Sequence, residues 1–83
     1  MRRRKDIKTT IEEILIDYRW VNPSRIIKED EELSTDFGMD SLDKMELIMY
    51  IEREYDISIP DDHAEKMDTV GKIIDYLQQI LEE

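Results

Sequence analysis

Ser41 is the residue whose setting first suggests chemistry. It stands in the stretch Asp36-Phe37-Gly38-Met39-Asp40-Ser41-Leu42-Asp43, where a glycine-containing loop delivers it, between two carboxylates, to the start of a predicted helix. Nucleophilic catalysis would require a base within hydrogen-bond reach and a third group to orient that base. His63, beside Asp62, is the only imidazole in the chain. It falls beyond the helix that Ser41 begins, about 20 Å away at ~1.5 Å of rise per residue. No Gly-x-Ser-x-Gly turn is present, and no oxyanion donors can be argued. A Ser-His-Asp triad is therefore unsupported, His63 reads as a solvated side chain, and the chain is not expected to be an enzyme.

Asp36, Asp40, Asp43 and Glu46 raise a second chemistry, calcium binding. The EF-hand loop needs Gly at its sixth position and Glu at its twelfth. Counted from Asp36, those positions hold Ser41 and Leu47, so the template fails and no metal site is expected. A phosphate esterified to Ser41 fits better. A helix N-terminus offers free N–H groups and a partial positive charge, which offset the repulsion from Asp40 and Asp43. A plain helix-capping serine is the simpler alternative, and residue types alone leave both open.

Three longer helices and a short one would have to position this serine. Ile7, Ile11, Ile14, Leu15 and Tyr18 share one helical face, which predicts a helix over 6–20 ended by Asn22-Pro23-Ser24. Residues 22–40 form a long connector whose apolar pegs are Ile26, Ile27, Leu33 and Phe37, with four carboxylates in a row from Glu29 to Glu32. The second helix is expected from Asp40 or Ser41 to Tyr55, with Asp40 as its cap and Asp43 completing a capping box. Ile57-Ser58-Ile59-Pro60 is extended in preference. Asp61 or Asp62 then caps a short turn through Ala64 to Met67, and Asp68-Thr69 caps a last helix. That helix carries the stripe Val70, Ile73, Ile74, Leu77, Ile80 and Leu81. The fold class is all-α, a small helical bundle of three main helices plus one short helix. One domain is expected over 1–83, with a basic tip at 1–5.

On a helical wheel, the second helix has two apolar sides. Leu47, Ile48, Ile51 and Tyr55 fall together, and Leu42, Met45 and Met49 lie nearly opposite, on the order of 150° away. One buried stripe is enough for a bundle of this size. Either the connector covers the second strip, or it is a docking surface rimmed by Asp43, Glu46 and Glu52. Two of its three members are Met, whose flexible thioether suits surfaces that meet several partners.

Composition narrows the partners. The formal net charge is −10 over 83 residues, although Arg2, Arg3, Arg4 and Lys5 are all basic. Between Glu29 and Asp62 only Lys44 and Arg53 are basic. Such a surface repels nucleic acid and anionic lipid and attracts basic protein surfaces. No segment has the ~20 apolar residues of a membrane span. A cytoplasmic monomer without nucleic-acid or membrane partners is the expectation. The chain has no cysteine, which excludes disulfides and thiolate chemistry of its own.

Phe37-Gly38-Met39-Asp40-Ser41-Leu42-Asp43, Glu52-Arg53-Glu54-Tyr55-Asp56 and Ile59-Pro60-Asp61-Asp62-His63-Ala64-Glu65-Lys66 closely resemble acyl carrier proteins of the type II fatty acid or polyketide synthase kind. The similarity extends through Thr69-Val70 and Ile74-Asp75-Tyr76-Leu77, covering roughly residues 7–81. The resemblance implies an acyl-carrier-protein-like bundle with a covalent phosphopantetheine arm on Ser41. A phosphopantetheinyl transferase would add the arm, whose thiol bears acyl groups as thioesters. The chemistry would belong to partners: acyl-transferring, condensing and reducing enzymes with basic docking patches. Carried over by position, Asp40, Leu42, Asp43, Glu46, Met49 and Glu52, with Met45 of the same strip, would contact partners. Leu47, Ile51, Ile59, Ala64, Met67 and Leu77 would line an acyl pocket. Lys44 and Arg53 depart from the more uniformly acidic helix of the family. Arg2-Arg3-Arg4-Lys5 is unusual too, and Trp20-Val21 stands where a glycine-containing turn is expected.

Overall fold

Each main helix is set by an apolar stripe and closed by a local device at its end. The computed structural model describes residues 3–81. It places α1 at Arg4–Asp17, α2 at Ser41–Tyr55, α3 at Asp61–Ala64 and α4 at Val70–Leu81. Of the basic tip, Met1 and Arg2 lie outside the described residues. Arg3 is the N-cap of α1, and Arg4 and Lys5 are already helical.

α1 tolerates Thr9 and Thr10 because their hydroxyls donate to the carbonyls of Lys5 (2.9 Å) and Asp6 (3.1 Å) one turn back. It ends earlier than its periodicity predicts, and Pro23 is not what ends it. Arg19 takes φ 67°, its N–H donates to the Ile16 carbonyl at 3.0 Å, and the Trp20 N–H donates to Leu15 at 2.9 Å. This is a Schellman closure with arginine where glycine is favoured. It fills the place of the glycine-containing turn expected around Trp20-Val21. Tyr18, expected on the core stripe, is therefore turned outward. It is 45% exposed and stacks on Tyr50 of α2 with ring centroids 3.7 Å apart.

α1 packs against both α4 and α2. Ile7, Ile11 and Leu15 meet Leu47 and Ile51 of α2 and Val70, Ile73, Ile74 and Leu77 of α4 in one core, all fully buried. Among the described residues no buried side chain is polar. Burying each of these apolar side chains contributes roughly 1.5–3 kcal/mol, so this cluster is what holds the bundle together.

The connector straps the bundle on one side. Ile27 and Leu33 are buried pegs and Phe37 is half-buried, but Ile26 is 83% exposed and is not a peg. The strap follows the start of α4. Gly71 N–H donates to the Glu29 carbonyl at 2.7 Å, Val70 N–H to Glu31 at 3.2 Å, and Leu33 N–H to Asp68 at 3.0 Å. Glycine suits position 71, since a Cβ there would lie 3.0 Å from the Glu29 carbonyl oxygen, tighter than an ordinary contact. Arg4 clips the strap from the other side, bonding to Glu29 at 2.5 Å and to Asp75 of α4 at 2.6 Å. The bond from Arg4 holds the Glu29 carboxyl below the ordinary carboxylate range, and the two carboxylates raise the Arg4 guanidinium above its usual value.

Short α3 begins at Asp61, with Pro60 as N-cap and no side-chain cap bond. Asp61 and Asp62 thus sit inside its first turn, where acidic residues suit the helix dipole, instead of capping it. Proline is well placed here, since it needs no N–H donor. At α4, Thr69 Oγ1 accepts from the Lys72 N–H at 3.1 Å, the capping role expected of it.

Candidate functional site

Ser41 is the first residue of α2 and is exposed. The expected capping box is present. Asp43 N–H donates to Asp40 Oδ1 at 2.8 Å, and Asp40 N–H donates to Asp43 Oδ2 at 3.2 Å. These bonds leave the first helical N–H groups, those of Ser41 and Leu42, for an incoming group. The Ser41 hydroxyl itself has no hydrogen-bond partner among the described residues.

The preceding loop is braced from within. Gly38 takes φ 67°, which suits glycine, and buried Met39 anchors the turn through its N–H to the Leu33 carbonyl at 3.1 Å. The Arg25 guanidinium lies 4.7 Å above the Phe37 ring and pairs with Glu31. The serine is thus displayed from a fixed frame, not from a loose loop.

Two surfaces meet at Ser41. The outer strip of α2 is open, with Leu42 and Met45 each 63% exposed and Met49 53% exposed, so the connector does not cover it. Asp40 and Glu46 are exposed beside it, and Asp43 and Glu52 are half-buried. Glu52 also has a structural task, since its Oε2 accepts from the Ile59 N–H at 2.7 Å and fastens the following loop to α2.

The second surface is an open groove of about 420 Å³ between α2 and the segment carrying α3. Ser41 stands among its lining residues, with Met45, Ile48, Met49, Ile59 and Ala64 forming its apolar wall and Lys44, Glu52, Asp61 and Glu65 its charged rim. Of the residues carried over as acyl pocket, Ile59 and Ala64 border this groove. Leu47, Ile51, Met67 and Leu77 are closed into the core. Ile48 was missed as a groove residue. Its place at the edge of the inner wheel stripe, nearest Met45 and Met49, was the available signal.

His63 is exposed but not merely solvated. Its Nδ1 lies 2.9 Å from the Tyr76 hydroxyl, with the rings edge-on, so it ties α3 to α4. Burial raises the pKa of the Tyr76 hydroxyl above its ordinary value. His63 is not among the residues lining the groove with Ser41.

A serine presented in this way suits a covalent tether, and comparison with known proteins shows the family. A family model described as a phosphopantetheine attachment site matches residues 6–77. The chain belongs to the acyl carrier protein family. It is 44% identical over 72 residues to an acyl carrier protein of Chlorobium phaeovibrioides, covering 87% of this chain and 91% of that one. With an acyl carrier protein of Chlorobium phaeobacteroides the identity is 45% over 71 residues, 86% of this chain and 90% of the other. With that of Amoebophilus asiaticus it is 41% over 78 residues, 94% and 96% of the two chains.

As a member of this family the protein is a carrier, not an enzyme. It bears acyl groups as thioesters on phosphopantetheine and works with enzymes of fatty acid synthesis and a phosphopantetheinyl transferase. The residues present fit the group: an exposed, unbonded hydroxyl, free N–H groups at a helix start, and an adjoining apolar groove. When bound, phosphopantetheine supplies the thiol that this cysteine-free chain lacks. Among the described residues no helix is long and apolar enough to cross a membrane.

Proposed function

We propose that Ser41 carries the phosphopantetheine arm and that the outer strip of α2 is where partner enzymes dock. The observation that supports this most is the convergence at Ser41 of an open apolar strip and an open apolar groove. Leaving Leu42, Met45 and Met49 more than half exposed forgoes roughly half of the ~1.5–3 kcal/mol that full burial gives each, an arrangement that favours a surface covered on binding. Asp40, Asp43, Glu46 and Glu52 rim the strip with negative charge, complementary to a basic patch on the acyl-transferring, condensing or reducing enzyme. The thioester chemistry is then the partner's. The carrier's own part is to fix the serine, admit the partner and hold the cargo.

The acyl chain enters by the groove at Ile59 and Ala64. Leu47, Ile51, Met67 and Leu77 form the apolar layer behind that it can part. The protein acts as one carrier domain over 1–83, as a cytoplasmic monomer. The test is co-expression with a broad-specificity phosphopantetheinyl transferase, followed by intact-mass measurement. Wild type gains one phosphopantetheine and Ser41→Ala gains none. An unmodified wild type, or an adduct that persists in Ser41→Ala, overturns the assignment.

A further inference from the structure

Lys44 is a cation that the docking strip does not use. It follows Ser41 by three residues, a spacing that puts neighbouring side chains on one side of a helix, and the two line the same groove. It is the only Lys or Arg among the groove's lining residues and the only one in α2 before Arg53. Lys44 is half-buried, and among the described residues its ammonium has no ion-pair partner.

The carboxylates around it form no ion pair with it. Asp40 and Asp43 each accept one backbone N–H in the capping box, and Glu52 accepts the Ile59 N–H. Asp68, which feels the Lys44 charge, is paired with Lys72 at 3.0 Å. Asp61 and Glu65, on the opposite bank of the groove, form no ion pair with it.

An ammonium at the groove without a counter-ion favours an anion brought to it. A phosphodiester on Ser41 would add negative charge beside Asp40 and Asp43, and Lys44 is the cation one helical turn away. We infer, on the reading that Ser41 carries the arm, that Lys44 is a positioning residue: it pairs with the arm's phosphodiester and biases the arm to lie along the groove instead of standing in solvent. It turns a departure from an acidic helix into a device for parking the arm between partners.

The chain has no cysteine, so the arm's thiol is the only thiol in the loaded protein. Its rate of reaction with a small neutral alkylating reagent therefore reports how far the arm is sheltered. Wild type, Lys44→Gln and Lys44→Arg are loaded, their adducts are confirmed by mass, and the rates are measured at low and high salt with phosphorus NMR on the same samples. Lys44→Gln is expected to react about two- to five-fold faster at low salt, the factor a modest ion pair confers. Lys44→Arg should follow wild type, high salt should remove the difference, and the phosphorus resonance should move in Lys44→Gln alone. Equal rates and unmoved resonances in correctly loaded proteins overturn this inference and leave Ser41 standing. Failure of wild type to load overturns both.

Discussion

Leu47 and Ile51 on one side of α2 are shut away from water completely, while Leu42, Met45 and Met49 on the other side keep more than half of their surface exposed. The side chains are similar in size and polarity, so chemistry alone does not explain their different surroundings. The inner side is needed because α1 and α4 close over it. The outer side is left open next to a serine that nothing in the fold uses. The comparison teaches that one helix can present two apolar sides with different fates: its inner residues hold the bundle, and its outer residues stay open for the docking proposed above.

The strongest way to break that comparison is to truncate one residue from each side. Leu47→Ala should lose about 2–5 kcal/mol of stability, the usual cost of a cavity in a closed core. Met49→Ala should change stability by no more than about 0.5 kcal/mol while raising the KM of the phosphopantetheinyl transferase. Denaturant melts and loading kinetics on the two variants check this. A strongly destabilised Met49→Ala, or an unaffected Leu47→Ala, would remove the division between the sides.

A smaller effect tests whether the frame can be changed without touching the open face. Arg19 closes α1 with φ 67°, where a side chain costs roughly 1–2 kcal/mol relative to its preferred backbone. Arg19→Gly should therefore stabilise the protein by about 1 kcal/mol, less whatever glycine loses through added freedom in the unfolded chain. Loading of Ser41 should proceed at the wild-type rate. A drop in melting temperature would show that the Arg19 side chain contributes something the backbone argument leaves out.

The smallest effect concerns the clip formed by Arg4, Glu29 and Asp75. The Glu29 carboxyl titrates lower in the folded protein than its ordinary value of 4.5. Its contribution is therefore complete above that value and is lost as pH falls through the lower, folded value. Glu29→Gln should be less stable than wild type at neutral pH, and the two stabilities should converge as pH falls below the ordinary carboxylate range. A difference that is constant with pH would mean that the loss comes from packing of the strap and not from the charge. Both groups are partly exposed, so the effect should also shrink with salt.

Much of this molecule was legible along the chain. The apolar stripes of α1, α2 and α4, the capping box at Asp40 and Asp43, and the two-sidedness of α2 all follow from local spacing, which fixes where side chains point on a helix. The separation of Ser41 from His63 was legible for the same reason, since the whole of α2 lies between them. The close of α1 was not. A closure with arginine in the left-handed region lacks the glycine that normally marks it, and the stripe runs past the true end to Tyr18.

Residue types and their order determined the helices, their caps, the serine at a helix start and the family to which the chain belongs, because these depend on contacts within a turn or two. Only the tertiary structure decided which apolar residues are covered. Ile26 and Ile27 are identical and adjacent, yet one is exposed and the other buried, because the strap can turn only one of them towards the core. It likewise decided that the strip at Leu42, Met45 and Met49 stays open, that Ile48 joins Ile59 and Ala64 along the groove, and that Lys44 faces that groove without a counter-ion. Each of these outcomes depends on which segments, distant in sequence, arrive at the same place.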